Sequence, residues 1–175
     1  MTRREVLPWL LQGTELGGHV LEIGAGPGAA TQELRKRAGR VTSLEYSRAF
    51  AARLAQRYEQ GHPRNGAVVQ GDASALPFAE TTFSAAIAVL VLHHLKSPEA
   101  QDRAFQEIFR VLQPGGAFLA LDIRDGWLHR VAHIRSTFVP VDPDNAPNRL
   151  AAAGFSAVAT AFRSGAFRLK ALRPL

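Results

Sequence analysis

The sequence predicts an α/β fold built on a mostly parallel sheet, and two observations support this prediction. Between residues 19 and 123, short apolar runs alternate with stretches of helical period, as expected for parallel strands joined by right-handed helical crossovers. Beyond residue 150, two alternating segments flank Ser164-Gly165 and predict a terminal antiparallel hairpin. A length of 175 residues and an ordinary globular composition indicate a single domain over residues 1–175.

Residues 1–70 contribute three predicted strands and three predicted helices. Each strand is a short run of β-prone apolar residues, and each helix carries helix-forming or apolar residues at helical spacing. Strand 1 contains Val20, Leu21 and Ile23 and therefore suits a buried central position. In chain order we expect a short helix at 2–12 within the N-terminal segment 1–18, strand 1 at 19–24, a helix at 28–38, strand 2 at 41–45, a helix at 47–60 and strand 3 at 67–70.

Residues 71–175 contribute the remaining elements. Strand 4 is apolar on both faces and should be central, and Ser97 followed by Pro98 is a typical helix start. The segment 124–148 is the least regular and is expected to cover a substrate. In chain order we expect a loop at 72–82, strand 4 at 83–92, a helix at 98–113, strand 5 at 117–123, a helix at 127–138, a loop at 139–144, a helix at 145–153 and hairpin strands at 155–163 and 166–172.

Three glycines at alternate positions, Gly24, Gly26 and Gly28, directly follow strand 1. They permit positive φ and let a ligand approach the backbone closely. A dinucleotide fingerprint G-x-G-x-x-G would end at Ala29, and because that fingerprint tolerates alanine, the spacing alone does not exclude a dinucleotide. Pro27 removes one backbone N–H that a pyrophosphate would need. A ligand with an adenosine end but no phosphates fits better.

Further motifs follow the glycine loop in a fixed order: an acidic strand end at Glu45, then Gly71-Asp72-Ala73, then residues 112–116, Leu-Gln-Pro-Gly-Gly. Together these motifs resemble the class I S-adenosylmethionine-dependent methyltransferases, from about residue 19 to the end of the chain. The resemblance implies a Rossmann-like seven-stranded sheet of order 3-2-1-4-5-7-6 with a C-terminal antiparallel hairpin. It also implies S-adenosyl-L-methionine as the cofactor.

Several residues along this edge of the sheet are expected to contact that cofactor. Glu45 lies 21 residues after Gly24, where its carboxylate can accept hydrogen bonds from two ribose hydroxyls, although it could also be a solvated strand-end acid. By resemblance, Asp72 accepts from the adenine amino group and Glu22 orients the glycine loop, whereas a simple turn is the alternative for Asp72. The predicted cofactor-binding residues are Glu22, Gly24, Ala25, Gly26, Gly28, Glu45, Tyr46, Asp72, Ala73 and Leu90.

The acceptor should lie over strands 4 and 5, because ligands of open parallel sheets bind outside the carboxyl ends of the strands. His93 and His94 follow strand 4 and are the candidate catalytic residues, since histidine can act as a general base near neutral pH; the alternative is a hydrogen bond to a loop carbonyl. The predicted substrate residues are Asp122, Arg124, Trp127 and His133. His133 has His129 four residues before it but no third ligand at an obvious spacing, so no metal site is predicted.

The motifs after strands 3 and 4 indicate the chemical class of the acceptor. Leu76-Pro77-Phe78 and His93-His94-Leu95 are similar to the small-molecule branch of the family, and no Asn/Asp-Pro-Pro-Tyr motif follows strand 4. Ser84 stands where the family often has Asp, which bears on loop packing. We therefore expect methyl transfer to a small molecule. An rRNA or tRNA methyltransferase and a catalytically silent methyltransferase-like subunit are the alternatives.

Composition limits the partners and the location of the protein. The net charge of +6 comes from dispersed basic residues, which indicates a solvated surface rather than a nucleic-acid interface. The absence of cysteine rules out disulfides and thiolate metal sites. No apolar run approaches 18 residues and no signal-peptide pattern is present, so no membrane span is expected and a cytoplasmic location is predicted. The oligomeric state is not predicted.

Overall fold

The computed structural model describes residues 3–60, 65–124 and 138–175 and contains one seven-stranded sheet. Its strands are β1 (His19–Ile23), β2 (Arg40–Glu45), β3 (Gly66–Gln70), β4 (Phe83–Val89), β5 (Leu112–Ile123), β6 (Ser156–Arg163) and β7 (Ala166–Leu172). They are arranged in the order β3-β2-β1-β4-β5-β7-β6. The first five pair in parallel, and β7 pairs antiparallel with both β5 and β6. The predicted fold class and strand order are confirmed.

Helices cover both faces of this sheet. The helices are α1 (Arg3–Leu11), α2 (Thr31–Leu34), α3 (Arg48–Gln60), α4 (Pro98–Val111) and α5 (Ala146–Ala152), and a 3-10 turn spans Leu92–His94. On one face, Phe105 and Ile108 of α4 pack in a fully buried cluster with Phe118 of β5. On the other face, Leu10 of α1 and Leu119 belong to a second cluster. Burial of each large apolar side chain stabilises the fold by about 1.5–3 kcal/mol.

The predicted start of α4 is confirmed. The Ser97 hydroxyl accepts a hydrogen bond from the Ala100 N–H at 3.2 Å, and Pro98 occupies the first turn, where its missing N–H has no intrahelical partner to lose. This cap begins α4 close to the end of β4. No helix in the described part of the chain combines the length and the apolar character needed to cross a membrane.

Three elements differ from the sequence prediction. The helix predicted at 28–38 is only Thr31–Leu34, because the chain turns over residues 26–30 before the helix begins. Strand 4 ends at Val89 rather than at residue 92, because Leu90 is left-handed (φ 56°) and leads into the 3-10 turn. Strand 5 begins earlier than predicted, at Leu112, which pairs with Phe83 before the register shifts. Most of the helix predicted at 127–138 lies outside the described residues.

Candidate functional site

Two adjoining cavities lie at the carboxyl edge of the parallel strands. The first, of about 530 Å³, lies over the glycine loop and is called here the loop cavity. The second, of about 310 Å³, lies over the segment after β3 and is called the Asp72 cavity. Both are lined by Ile23, Gly24, Tyr46, Val91 and His94, so they form one cleft that passes across Gly24.

The glycine loop is left-handed at all three glycines, with φ of 67° at Gly24, 51° at Gly26 and 82° at Gly28. A Cβ at Gly24 would overlap the Val91 side chain, and one at Gly28 would lie 2.6 Å from a Leu54 methyl. A Cβ at Gly26 would meet no atom within 4 Å, and Gly26 lines the loop cavity. The first and third glycines are thus required by packing, whereas the second lies beside open space where a ligand can approach.

Glu45, the last residue of β2, anchors this loop. Its Oε2 accepts a hydrogen bond from the Gly26 N–H at 2.7 Å, and its Oε1 accepts one from the Ser47 N–H at 2.8 Å. The residue is buried but lines the loop cavity. Because the two carboxylate oxygens together offer about four acceptor sites, roughly two remain for hydroxyls of a ligand.

Glu22 lies beneath the loop and joins four elements. Its Oε2 accepts hydrogen bonds from the hydroxyls of Thr31 and Ser43, both at 2.6 Å, and the Ser43 hydroxyl lies 2.9 Å from that of Tyr58. Burial raises the pKa of the Glu22 carboxyl, the two hydroxyl bonds oppose this, and the nearby Glu45 charge raises it further. The network connects β1, β2, α2 and α3 under the loop cavity, which Glu22 also lines.

Asp72 and Ala73 form the turn that lines the second cavity. Oδ1 of Asp72 accepts hydrogen bonds from the N–H and the hydroxyl of Ser74, both at 2.8 Å. Among the described residues, no group donates a hydrogen bond to its Oδ2. The turn is tied to α4, because the Leu76 N–H donates to Glu107 Oε2 at 2.8 Å. Asp72 thus combines the predicted turn with an available carboxylate oxygen that lines the cavity.

Apolar side chains around the loop cavity were not all identified from the sequence. Tyr46 and Leu90, both predicted, are 62% and 43% exposed and line this cavity. Val6 and Leu7 of α1 and Phe50 of α3 line it as well and were missed. Their helical spacing signals an amphipathic face, but only the packing of α1 and α3 shows that this face borders the cleft.

The structure brings His93 and Asp122 together behind the cleft wall. Nδ1 of His93 lies 2.5 Å from Oδ1 of Asp122, and the His93 backbone N–H donates to Oδ2 at 3.2 Å. His93 is 3% exposed and Asp122 is fully buried. Neither residue is among those that line the two cavities in the described part of the chain. His94, by contrast, is exposed and lines both cavities.

Of the remaining predicted substrate residues only Arg124 is described, and it lines neither cavity. Arg124 is exposed and lies over the Phe162 ring, 5.4 Å from its centroid, while its N–H donates to Gly165 O of the hairpin. Trp127 and His133 lie outside the described residues. Within the ranges that are described, no group of three or more acidic, histidine or cysteine side chains is arranged to hold a metal ion.

Comparisons with known proteins agree with this fold. Demethylmenaquinone methyltransferase of Thermobifida fusca (strain YX) is 34% identical over 100 residues, which is 57% of this chain and 41% of that protein. The match therefore spans about two fifths of the relative's length.

Among solved structures, the [4+2]-cyclase SpnF matches with a TM-score of 0.82 at 20% identity over 98% of this chain and 81% of that one. Phosphoethanolamine N-methyltransferase 2 of Haemonchus contortus, solved with S-adenosyl-L-methionine, matches with a TM-score of 0.82 at 14% identity over 99% and 52%. Identities this low show a shared fold alone.

The family described as "Methyltransferase domain" matches residues 21–120, which is more than half of the chain and runs from within β1 to within β5. That span includes the glycine loop, Glu45, Asp72 and the 3-10 turn. This chain belongs to the methyltransferase domain family.

Proposed function

We propose that this protein binds S-adenosylmethionine and transfers its methyl group to a small, largely apolar molecule. One observation carries the proposal. Glu45, at the end of β2, lines the loop cavity, and Asp72, just after the adjacent strand β3, lines the Asp72 cavity; both cavities are lined by the left-handed Gly24 and form one continuous cleft. Family membership supports the same cofactor.

The residues of the cleft fit this cofactor. Glu45 has acceptor sites for the ribose hydroxyls, Oδ2 of Asp72 can accept from the adenine amino group, and the Ala73 N–H would meet a ring nitrogen. The open space beside Gly26 leaves room for a ligand against the backbone. When bound, S-adenosylmethionine supplies an electrophilic methyl group on a sulfonium. The structural neighbour from Haemonchus contortus, solved with S-adenosyl-L-methionine, is an instance of this fold holding that cofactor.

The work left to the protein is mainly positioning. Its residues have to hold the acceptor atom in line with the methyl group and exclude water, which lowers the barrier because the reactants are already aligned. His94 is the proposed base wherever the acceptor must lose a proton, because it is exposed at the junction of the two cavities. His93 is buried and lines neither described cavity, so it is not the proposed base.

The lining of the loop cavity supports an apolar acceptor. Val6, Leu7, Phe50 and Leu90 surround it, and an apolar or aromatic molecule suits such walls better than a nucleic-acid strand does. The name of the Thermobifida fusca relative indicates an apolar quinone acceptor for that enzyme. An rRNA or tRNA substrate is less favoured, since among the described residues no lysine or arginine lines the loop cavity, and Lys96 and Arg103 line only the Asp72 cavity.

Thermal melting with ligands tests the cofactor assignment. S-adenosylhomocysteine should raise the melting temperature, because it binds only the folded state, whereas NAD and NADP should leave it unchanged. Transfer of a labelled methyl group from S-adenosylmethionine to a panel of hydroquinones and other small aromatic acceptors then tests the activity. Stabilisation by NAD alone would overturn the cofactor assignment. Cofactor binding without transfer to any acceptor would favour the catalytically silent subunit. Binding and transfer have to be measured separately, because a protein named as a cyclase shares this fold.

A further inference from the structure

The 3-10 turn Leu92–His94 lies beside the two cavities, and its last residue, His94, lines both. The chain enters this turn through Leu90 and Val91, and Leu90 holds a left-handed conformation (φ 56°) that is strained for a residue with a side chain. The Leu90 N–H donates to Leu121 O of β5 at 2.8 Å, so β5 fixes the chain at the entrance to the turn. Val91 and His94, on either side of the turn's centre, line both cavities.

His93, at the centre of the turn, is held on several sides. Its ring and its backbone N–H both donate to the Asp122 carboxylate, and its carbonyl accepts from the Val139 N–H at 2.8 Å. The fully buried Gln101 side chain donates to Leu92 O at 3.2 Å and to Val139 O at 2.8 Å. The turn is thereby tied to β5, to α4 and to the segment beginning at residue 138.

Two of the three hydrogen bonds that the Asp122 carboxylate accepts from the described residues come from His93 of this turn. The third hydrogen bond comes from the backbone N–H of the next residue, Ile123, at 2.8 Å. Burying such a group is expensive, and apolar residues of similar volume would fill the space without that cost. What a hydrogen-bonded pair adds is direction, because each donor has to meet a particular oxygen. The contacts therefore favour a role in geometry over a role in packing.

We infer that Asp122 and His93 are positioning residues that set the place of His94 in the cleft. The ring centroids of His93 and His94 are 4.1 Å apart, so a shift of the buried imidazole moves its exposed neighbour. Asp122 and His93 line neither described cavity and act through His94. This inference rests on the proposed function, since it assumes that the cleft beside His94 holds S-adenosylmethionine or its product.

A double-mutant cycle on the affinity for S-adenosylhomocysteine, measured by calorimetry, tests this inference without an acceptor. Asp122→Asn and His94→Ala should each weaken binding by about threefold or more, because His94 lines both cavities and Asp122 holds the turn that carries His94. Because Asp122 acts through His94, the protein that carries both substitutions should bind S-adenosylhomocysteine with an affinity within about twofold of that of the single variant that binds it less tightly. Independent residues would instead show the product of the two losses.

A rescue series and a matched control separate positioning from general destabilisation. His93→Asn keeps a donor near the position of Nδ1 and should bind within about twofold of wild type, whereas His93→Ala should bind as weakly as Asp122→Asn. His19 is the control, because its Nε2 lies 2.9 Å from the Thr42 hydroxyl at the opposite edge of the sheet. His19→Ala combined with His94→Ala should give simply multiplied effects.

The outcomes are distinguishable. If the wild-type protein does not bind S-adenosylhomocysteine, the proposed function fails, and the inference that rests on it fails too. If the wild-type protein binds but His94→Ala has no effect, or its effect multiplies with that of Asp122→Asn, the inference alone is overturned. Should Asp122→Asn fail to fold, His93→Ala and His93→Asn give the same test, and equal affinities for these two variants would also overturn it.

Discussion

Replacing Glu45 by Gln tests the part of the site on which the proposed function depends most. In the structure the carboxylate binds two backbone N–H groups, one from Gly26 at 2.7 Å and one from Ser47 at 2.8 Å. A glutamine side chain has the same shape but only one acceptor oxygen, so one of these N–H groups must face an amide N–H. The change therefore affects the shape of the glycine loop as well as the contacts to a ligand.

The expected losses of stability and of ligand affinity follow from one missing charge-assisted hydrogen bond in each case. In the free protein this bond is one to the glycine loop, and in the complex it is one to the ligand. Such a bond contributes about 1.5–3 kcal/mol. For a chain of this size, where 1 kcal/mol moves the melting temperature by about 2–4 °C, the free protein should melt roughly 3–12 °C lower. Affinity for S-adenosylhomocysteine should fall roughly 10- to 150-fold, because 1.4 kcal/mol corresponds to a tenfold change.

Differential scanning fluorimetry and titration calorimetry measure these two quantities. The matched control is Glu33→Gln on α2, which removes an exposed acid paired with Lys36 and Arg37 away from the cleft. It should leave affinity and melting temperature as in wild type. If Glu45→Gln also binds S-adenosylhomocysteine with wild-type affinity, Glu45 does not hold the ligand, and the reasoning about this site is refuted.

Three further variants test neighbouring parts of the cleft. Gly24→Ala should abolish S-adenosylhomocysteine binding in calorimetry, because its Cβ would overlap Val91 at a left-handed position; unchanged affinity would contradict this. Asp72→Ala should weaken binding less than the Glu45 variant does, since one acceptor contact is lost; a larger loss would reverse the assignment of the two acids. Burial raises the pKa of Glu22 in the folded state, so the native protein holds its proton more tightly, and the free energy of unfolding should fall as pH rises from the ordinary carboxyl range toward the raised pKa. Urea titrations across pH should show this slope in wild type and a flatter one in Glu22→Gln; identical slopes would mean that Glu22 is not the cause.

The sequence by itself determined the parts of the fold and site that depend on neighbouring residues. The buried run before Gly24, the glycine spacing and the cap at Ser97 are local patterns, and each predicted its element because backbone freedom and capping act over a few residues. The order of strands and helices then brought Glu45 and Asp72 to one edge of the sheet, since parallel strands end on the same side. The resemblance of these motifs to one family supplied the strand order.

Tertiary structure decided what depends on residues far apart in the chain. His93 and Asp122 are separated by 29 positions and meet only because β4 and β5 pair side by side, so the sequence alone did not predict that they form a buried pair. The Leu90 backbone is left-handed because the chain must leave β4 while its N–H still bonds to β5. Val6 reaches the cleft only through the packing of α1. No pattern along the chain reports such contacts, because they arise from the geometry of the whole sheet rather than from the preferences of single residues.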